Sequence, residues 1–99
     1  EELILTKYFR NAYLATKVSF FNQVYDLCEA VGADFNIVRQ SIGNDPRIGH
    51  SHTNVTNNRV FGGHCFPKDT AAIVYTAKDN RIDLNLINES IKYNNKIRK

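Results

Sequence analysis

Apolar residues recur along the first 31 positions with the period of a single unbroken helix. Leu14, Val18, Phe21, Tyr25 and Cys28 fall at i, i+4, i+7, i+11 and i+14, the spacing of one helical face. A second apolar row, Tyr13, Phe20, Val24, Leu27 and Val31, lies beside it. Ser19, Asn22, Asp26 and Glu29 gather on the opposite side, which is the side expected to meet water. An apolar arc this wide requires a helix buried on more than one side, central to the domain or to a dimer. Gly32 is placed to end it, and Asp34 to cap the helix that follows.

That second helix spans about residues 35–42 and stops at Gly43. From Asn44 to His64 no period is sustained, and the chain carries Asn, Gly, Pro, Ser and His. A stretch of about 20 residues without periodic pattern is uncommon inside a compact domain and usually functional. Pro67 suits the first turn of a third helix, where a missing N–H costs nothing. Ala71, Ala72, Val74 and Tyr75 supply its buried side, and it ends near Asp79–Asn80. Asp83 is placed to cap a fourth helix containing Leu84, Ile87 and Ile91, with a basic end at Lys96, Arg98 and Lys99. No strand-like alternation occurs. The expected fold is all-α: a long N-terminal helix, shorter helices packed on it, and a long functional loop before the third helix.

With 99 residues, 42% of them apolar, the chain has the size of one domain, 1–99, and too much apolar content for a disordered tail. A net charge of +3 permits an anionic ligand without pointing to nucleic acid. The basic C-terminal end beside Tyr93 is most simply a solvated helix end. No apolar run approaches the roughly 20 residues of a membrane span, and the opening Glu1-Glu2 is no signal pattern. Two cysteines, Cys28 and Cys65, make no disulfide framework. Cys28 reads as a small core hydrophobe. A reduced, cytoplasmic protein is expected, and the N-x-S/T matches at Asn54 and Asn88 read as chance. The start inside helical sequence without Met suggests a piece of a longer protein.

Two groups of residues carry chemistry. Lys7 and Asn11 extend the core stripe of the first helix backward, so a charge and an amide stand where Leu or Val would be expected. Spaced i, i+4, they project side by side. Either this end of the helix is exposed, or the pair is a donor set aimed into a pocket and suited to a developing oxyanion. The second group is Phe61-Gly62-Gly63-His64-Cys65-Phe66-Pro67-Lys68-Asp69. The glycines allow close backbone approach to a ligand. Cys65 stands just before the helix start at Pro67, where the helix dipole and Lys68 favour the nucleophilic thiolate. Asp69, one turn on, is near enough to act on a water or proton at the same centre. A buried Cys beside a Gly-rich turn is the competing explanation. His50, His52, His64 and Cys65 lack zinc-site spacing, and no metal is expected.

These residues resemble the central domain of the UDP-glucose/GDP-mannose dehydrogenase family. The resemblance runs through Lys7-Tyr8-Phe9-Arg10-Asn11 into NAYLATKVSFFNQ, then LCEAVGAD, Asp45-Pro46-Arg47-Ile48-Gly49 and FGGHCFPKDT, in order and over nearly the whole chain. The form of the last motif is closer to the UDP-glucose branch. The resemblance implies two successive oxidations of the sugar C6 alcohol to a carboxylate, with NAD as cofactor. Cys65 would carry a thiohemiacetal and then a thioester, Lys7 and Asn11 would stabilise oxyanions, and Asp69 would assist proton transfer and water activation. Arg47 would reach the UDP-sugar held by the partner subunit of a homodimer built on the first helix, while Phe61, Gly62 and Gly63 line the substrate pocket. No Gly-x-Gly-x-x-Gly turn is present, so NAD would bind a domain absent from this chain, and the chain alone would be inactive. The alternative is a stand-alone module that dimerises or binds sugar nucleotide without oxidising it.

Overall fold

A computed structural model describes residues 1–57, 59 and 65–98, apart from the side chains of Cys65 and Phe66. It contains four α-helices: α1 (Glu2–Val31), α2 (Phe35–Gly43), α3 (Cys65–Asp79) and α4 (Asn85–Ile97). Among the described residues there is no strand, and the all-α expectation holds. No helix among them is long and apolar enough to cross a membrane. The long dimension of the fold, 44 Å, is the length that 30 residues reach at about 1.5 Å each.

The ends of α1 and α2 form where local chemistry places them. Gly32 takes the left-handed conformation, φ 77°, and Ala33 N–H donates to the Cys28 carbonyl at 2.9 Å. Only glycine enters that region without a steric cost. Asp34 then caps α2, its Oδ1 accepting from Asn36 N–H at 2.9 Å and Ile37 N–H at 3.3 Å. The later helix starts differ from expectation. Cys65 is itself the first helical residue of α3, two positions before Pro67. At α4 the cap position falls on Leu84, with no side-chain cap bond. The Asp83 carboxylate, one residue earlier, instead accepts from the Asn88 side-chain amide at 3.3 Å.

The packing around α1 departs in part from the expected polarity: of the first apolar row, Phe21 and Cys28 are buried and Leu14, Val18 and Tyr25 are half-buried. α3 packs along α1 more extensively than any other helix, followed by α4 and α2. The face they cover is small and polar: Ala12, Ala15, Ser19 and Asn22 are buried, with Phe21 and Cys28 at its edge. Ser19 and Asn22, expected to meet water, are thus interior. Ser90 of α4 donates to the Ser19 hydroxyl at 2.9 Å in the buried seam. Leaving one of these hydroxyls unpaired would cost about 1–3 kcal/mol. The second apolar row does the opposite: Tyr13, Phe20, Leu27 and Val31 are all exposed. Small side chains explain the choice of face, because alanine and serine let two helices approach α1 closely while the bulky row would hold them off.

Two contacts tie α4 to α1. Ser19 meets Ser90, and Asp26 meets Tyr93. The first turns of α3 lie beside the last turns of α4, around Pro67, Thr70, Ile91 and Asn94. After α2 the chain makes a turn in which Ile48 and Gly49 N–H both donate to the Asp45 carbonyl, at 2.8 and 3.0 Å. Lys17 of α1 holds this turn through the Ile48 carbonyl at 2.9 Å. Thr53, fully buried, donates to the His50 carbonyl at 2.8 Å, and Arg39 of α2 donates to Thr53 Oγ1 at 3.4 Å. Between Asp45 and Thr53 the aperiodic stretch is held by backbone turns and side-chain bonds rather than by a ladder.

Candidate active site

α1 and α3 bring two of the chemistry-bearing residues into direct contact. Asn11 Nδ2 donates to Asp69 Oδ2 at 2.7 Å, across 58 residues of sequence. Asp69 is 1% exposed and Asn11 half-buried. Asn11 occurs here because the stripe defined by Leu14, Val18 and Phe21, carried back toward the N-terminus, arrives at the flank that α3 covers. A buried carboxylate requires donors, and the Asn11 amide is one of them. The amide nitrogen has two hydrogens. The bond to Asp69 uses one and fixes the amide plane, which sets the direction of the other.

Lys7 lies one turn before Asn11 and is exposed. Cys65 opens α3, one turn before Asp69, so its backbone lies at the N-terminal end of the helix that carries the carboxylate. The Cys65 side chain lies outside the described residues, as do Phe61, Gly62 and Gly63. Thus Asn11, Asp69 and the Cys65 backbone converge where α1 and α3 meet, with Lys7 further out on α1.

Arg47 is elsewhere. It is exposed and forms a fork with Asp45: Nε is 3.0 and 3.2 Å from the two carboxylate oxygens, and the terminal nitrogen 2.6 Å from Oδ2. Arg47 N–H also donates to Asp45 Oδ1 at 2.9 Å. The guanidinium holds the Asp45 carboxyl below the usual carboxylate range, and Asp45 in turn raises Arg47 above its ordinary value. The turn bearing Arg47 is held by Lys17, six residues beyond Asn11 and about 120° round the helix from it. The structure does not bring Arg47 to the Asn11–Asp69 pair of its own chain.

Sequence reasoning missed a third cluster. Arg59 donates from Nε to Asn22 Oδ1 at 3.0 Å, forms an ion pair with Asp26 at 2.6 Å, and stacks over the Tyr25 ring at 4.8 Å from its centroid. Tyr93 of α4 donates to the other Asp26 oxygen at 2.5 Å. Burial, and then the Asp26 carboxylate, push the Tyr93 phenol well above its ordinary 10.0. The available signal was Asn22 and Asp26 at i, i+4. Periodicity cannot tell a polar stripe that faces water from one that faces a loop.

Known proteins carry similar sequences. The model of the UDP-glucose/GDP-mannose dehydrogenase family, central domain, matches residues 2–96. The chain belongs to this family. It is 44% identical over 91 residues to UDP-glucose 6-dehydrogenase YwqF of Bacillus subtilis (strain 168), a match covering 92% of this chain and 20% of that protein. Identity to UDP-glucose 6-dehydrogenase of Rickettsia prowazekii (strain Madrid E) is 42% over 90 residues, 91% of this chain and 20% of the relative. For UDP-glucose 6-dehydrogenase TuaD of Bacillus subtilis (strain 168) it is 43% over 98 residues, 99% and 21%. The chain therefore spans about a fifth of the length of the family members it matches. The resemblance carried by the four motifs is thus a family membership, and the family's central domain is the all-α unit described above.

Proposed function

We propose that this chain is the central domain of an NAD-dependent UDP-glucose dehydrogenase that converts UDP-glucose to UDP-glucuronate, and that it supplies the covalent nucleophile. The observation that supports it best is the bond between Asn11 and Asp69. Two residues far apart in sequence, singled out for different chemical reasons, meet one helical turn from Cys65. The names of the relatives supply the substrate class.

The residues divide the work by chemistry. Cys65, at the first turn of α3, gains thiolate character from the helix N-terminus. Its sulfur adds to the C6 aldehyde, forming a C–S bond while the carbonyl oxygen becomes an oxyanion. The second Asn11 N–H and the Lys7 ammonium stabilise that oxyanion. In the closing step, water attacks the thioester carbon, the C–S bond breaks, and the thiolate leaves. Asp69 takes the water's proton, oriented for it by the Asn11 amide. Two oxidations flank the thiol addition, alcohol to aldehyde before it and thiohemiacetal to thioester after it, and NAD would supply the hydride acceptor for each. This chain does not fit that cofactor: the sequence has no Gly-x-Gly-x-x-Gly turn and the described residues no strand to carry one. NAD is accordingly assigned to another part of the enzyme.

The exposed row of Tyr13, Phe20, Leu27 and Val31 supports a homodimer through α1. Phe20 stands between two grooves, one lined by Tyr13, Ile42 and Ile48, the other by Val24, Leu27 and Val38. A ring between apolar grooves suits the self-complementary surface of a twofold interface. Arg47 and the segment Phe61-Gly62-Gly63 then serve the UDP-sugar, Arg47 from the partner subunit. The deciding experiment is Cys65→Ser in the full-length protein, assayed for UDP-glucuronate. Formation is expected to cease, and turnover at the wild-type rate would remove Cys65 from the mechanism.

A further inference from the structure

Arg59 is the last described residue before Cys65, and its side chain is held by three residues of α1, Asn22, Tyr25 and Asp26. Its backbone is left-handed, φ 67°. A non-glycine residue there is strained, and such conformations persist only where the surroundings over-determine them. Here the surroundings are the side chain's own partners. Nε reaches Asn22 Oδ1 at 3.0 Å, and a terminal nitrogen reaches the Asn22 carbonyl at 3.4 Å and Asp26 Oδ1 at 2.6 Å. The guanidinium plane covers Tyr25, whose ring meets Phe35 of α2 edge-on at 5.3 Å. Through Asp26 the cluster continues to Tyr93 of α4. One loop residue is thus fastened to α1 directly and, through its partners, to α2 and α4.

The side chain is only 15% exposed, so this is no loose surface pair. Asn22, its main partner, is 1% exposed and lies in the polar face of α1, the face against which α3 sets Asp69 beside Asn11. The loop is therefore pinned to the same face of α1 that carries the candidate active site. Six peptide steps separate Arg59 from Cys65, which limits their separation to about 20 Å even for an extended chain. A fork that fixes one end of so short a connection restricts where the other end can go.

We propose that Arg59 is a positioning residue for the Cys65 nucleophile: its fork on Asn22 and Asp26 fixes the point from which the chain departs toward the first turn of α3. The proposal rests on Cys65 being the nucleophile. Arginine suits the task because its planar fork engages Asn22 and Asp26 together, which a lysine ammonium cannot reproduce.

The test uses the full-length protein with Arg59→Gln, Arg59→Lys and Asp26→Asn. Three quantities are read for each: kcat and KM for UDP-glucose, the folded fraction by thermal unfolding, and the rate of Cys65 alkylation by iodoacetamide, with buried Cys28 as the slow internal reference. Arg59→Gln is expected to lower kcat per folded molecule by about ten- to a hundredfold, the size of effect that a small misplacement of reacting groups produces. KM should stay within about twofold, since uniform substrate binding is untouched. Arg59→Lys should recover only part of kcat, and Cys65 alkylation should change in step with kcat. Asp26→Asn, which keeps the shape of the partner and removes its charge, should move kcat in the same direction and serves if Arg59→Gln does not fold. Wild-type kcat in the folded variants, or a loss that vanishes once corrected for the folded fraction, overturns the proposal. So does full rescue by lysine. Alkylation needs no turnover, so it reads the position of Cys65 even if Cys65→Ser shows that the thiol is not the nucleophile.

Discussion

Replacing Phe20 by alanine should leave the single chain folded and separate the proposed dimer. Phe20 lies in the middle of the outward apolar row of α1 and is 58% exposed. Phenylalanine offers on the order of 200 Å², so ~120 Å² per copy stays uncovered unless something packs on it. A twofold interface counts that area twice, and at ~25 cal/mol/Å² the upper bound is about 6 kcal/mol. Association also orders side chains, and alanine keeps part of the contact, so about half of this is the working figure. A loss of about 3 kcal/mol weakens dimerisation by roughly 150-fold. The stability of the single chain should move by no more than about 0.5 kcal/mol, as expected of an exposed position. Sedimentation velocity over a concentration series measures the dimer, and thermal unfolding the fold. Glu29→Ala, at an exposed position off the apolar row, is the control and should leave the dimer unchanged. A wild-type chain that stays monomeric throughout, or a Phe20→Ala chain that dimerises as tightly as wild type, would refute the assignment of this face.

Asn11→Leu removes the amide from the buried Asp69 carboxylate while keeping the side-chain volume. It should cost about 1–3 kcal/mol in urea unfolding and stop uronate formation in the full-length protein; unchanged stability would show that the bond contributes nothing. Tyr93 makes stability depend on pH at the alkaline end. Its folded value lies above the unfolded 10.0, so the unfolded state loses this proton first, and the contribution is whole below pH 10 and lost as pH rises toward the folded value. Unfolding free energy should therefore fall above pH 10, and Tyr93→Phe should remove that part of the fall.

The elements that the sequence made legible are those governed by local chemistry. Gly32 and Asp34 end one helix and begin the next because a left-handed backbone and a side-chain acceptor are needed there, and both needs are written in single residues. The 3.6-residue period located α1, and Pro67 located the start of α3 to within two residues. What stayed hidden depends on which neighbour covers which face. Ser19 and Asn22 look like solvent-facing residues because their partners, Ser90 and Arg59, lie 71 and 37 residues away. Nothing local distinguishes a serine that meets water from a serine that meets another serine. The outward orientation of Phe20 was hidden for the same reason, since the period defines a stripe and tertiary packing chooses its side.

The polar packed side of α1 and its exposed apolar row have different tasks. On the inner side, Asn11, Ser19, Asn22 and Asp26 bond to groups from α3, α4 and the loop, so polar specificity rather than apolar area sets how those elements sit. Asp69 reaches Asn11 by that route. On the outer side, Ile48 lines a groove with Tyr13 and Phe20, and Lys17 fixes the same turn through the Ile48 carbonyl. Arg47 immediately precedes Ile48, so the turn that carries the arginine is part of the outward apolar surface. A second copy seated on that surface would therefore meet the Arg47 turn as it covers Phe20. The Arg47 fork is pre-formed on Asp45 and makes no bond to its own Asn11–Asp69 pair. Under the proposed dimer, one packing event both buries the apolar row and delivers a charge-bearing fork to the neighbouring subunit. Dimerisation and completion of the substrate site are then a single step, and loss of the Phe20 contact should weaken both together.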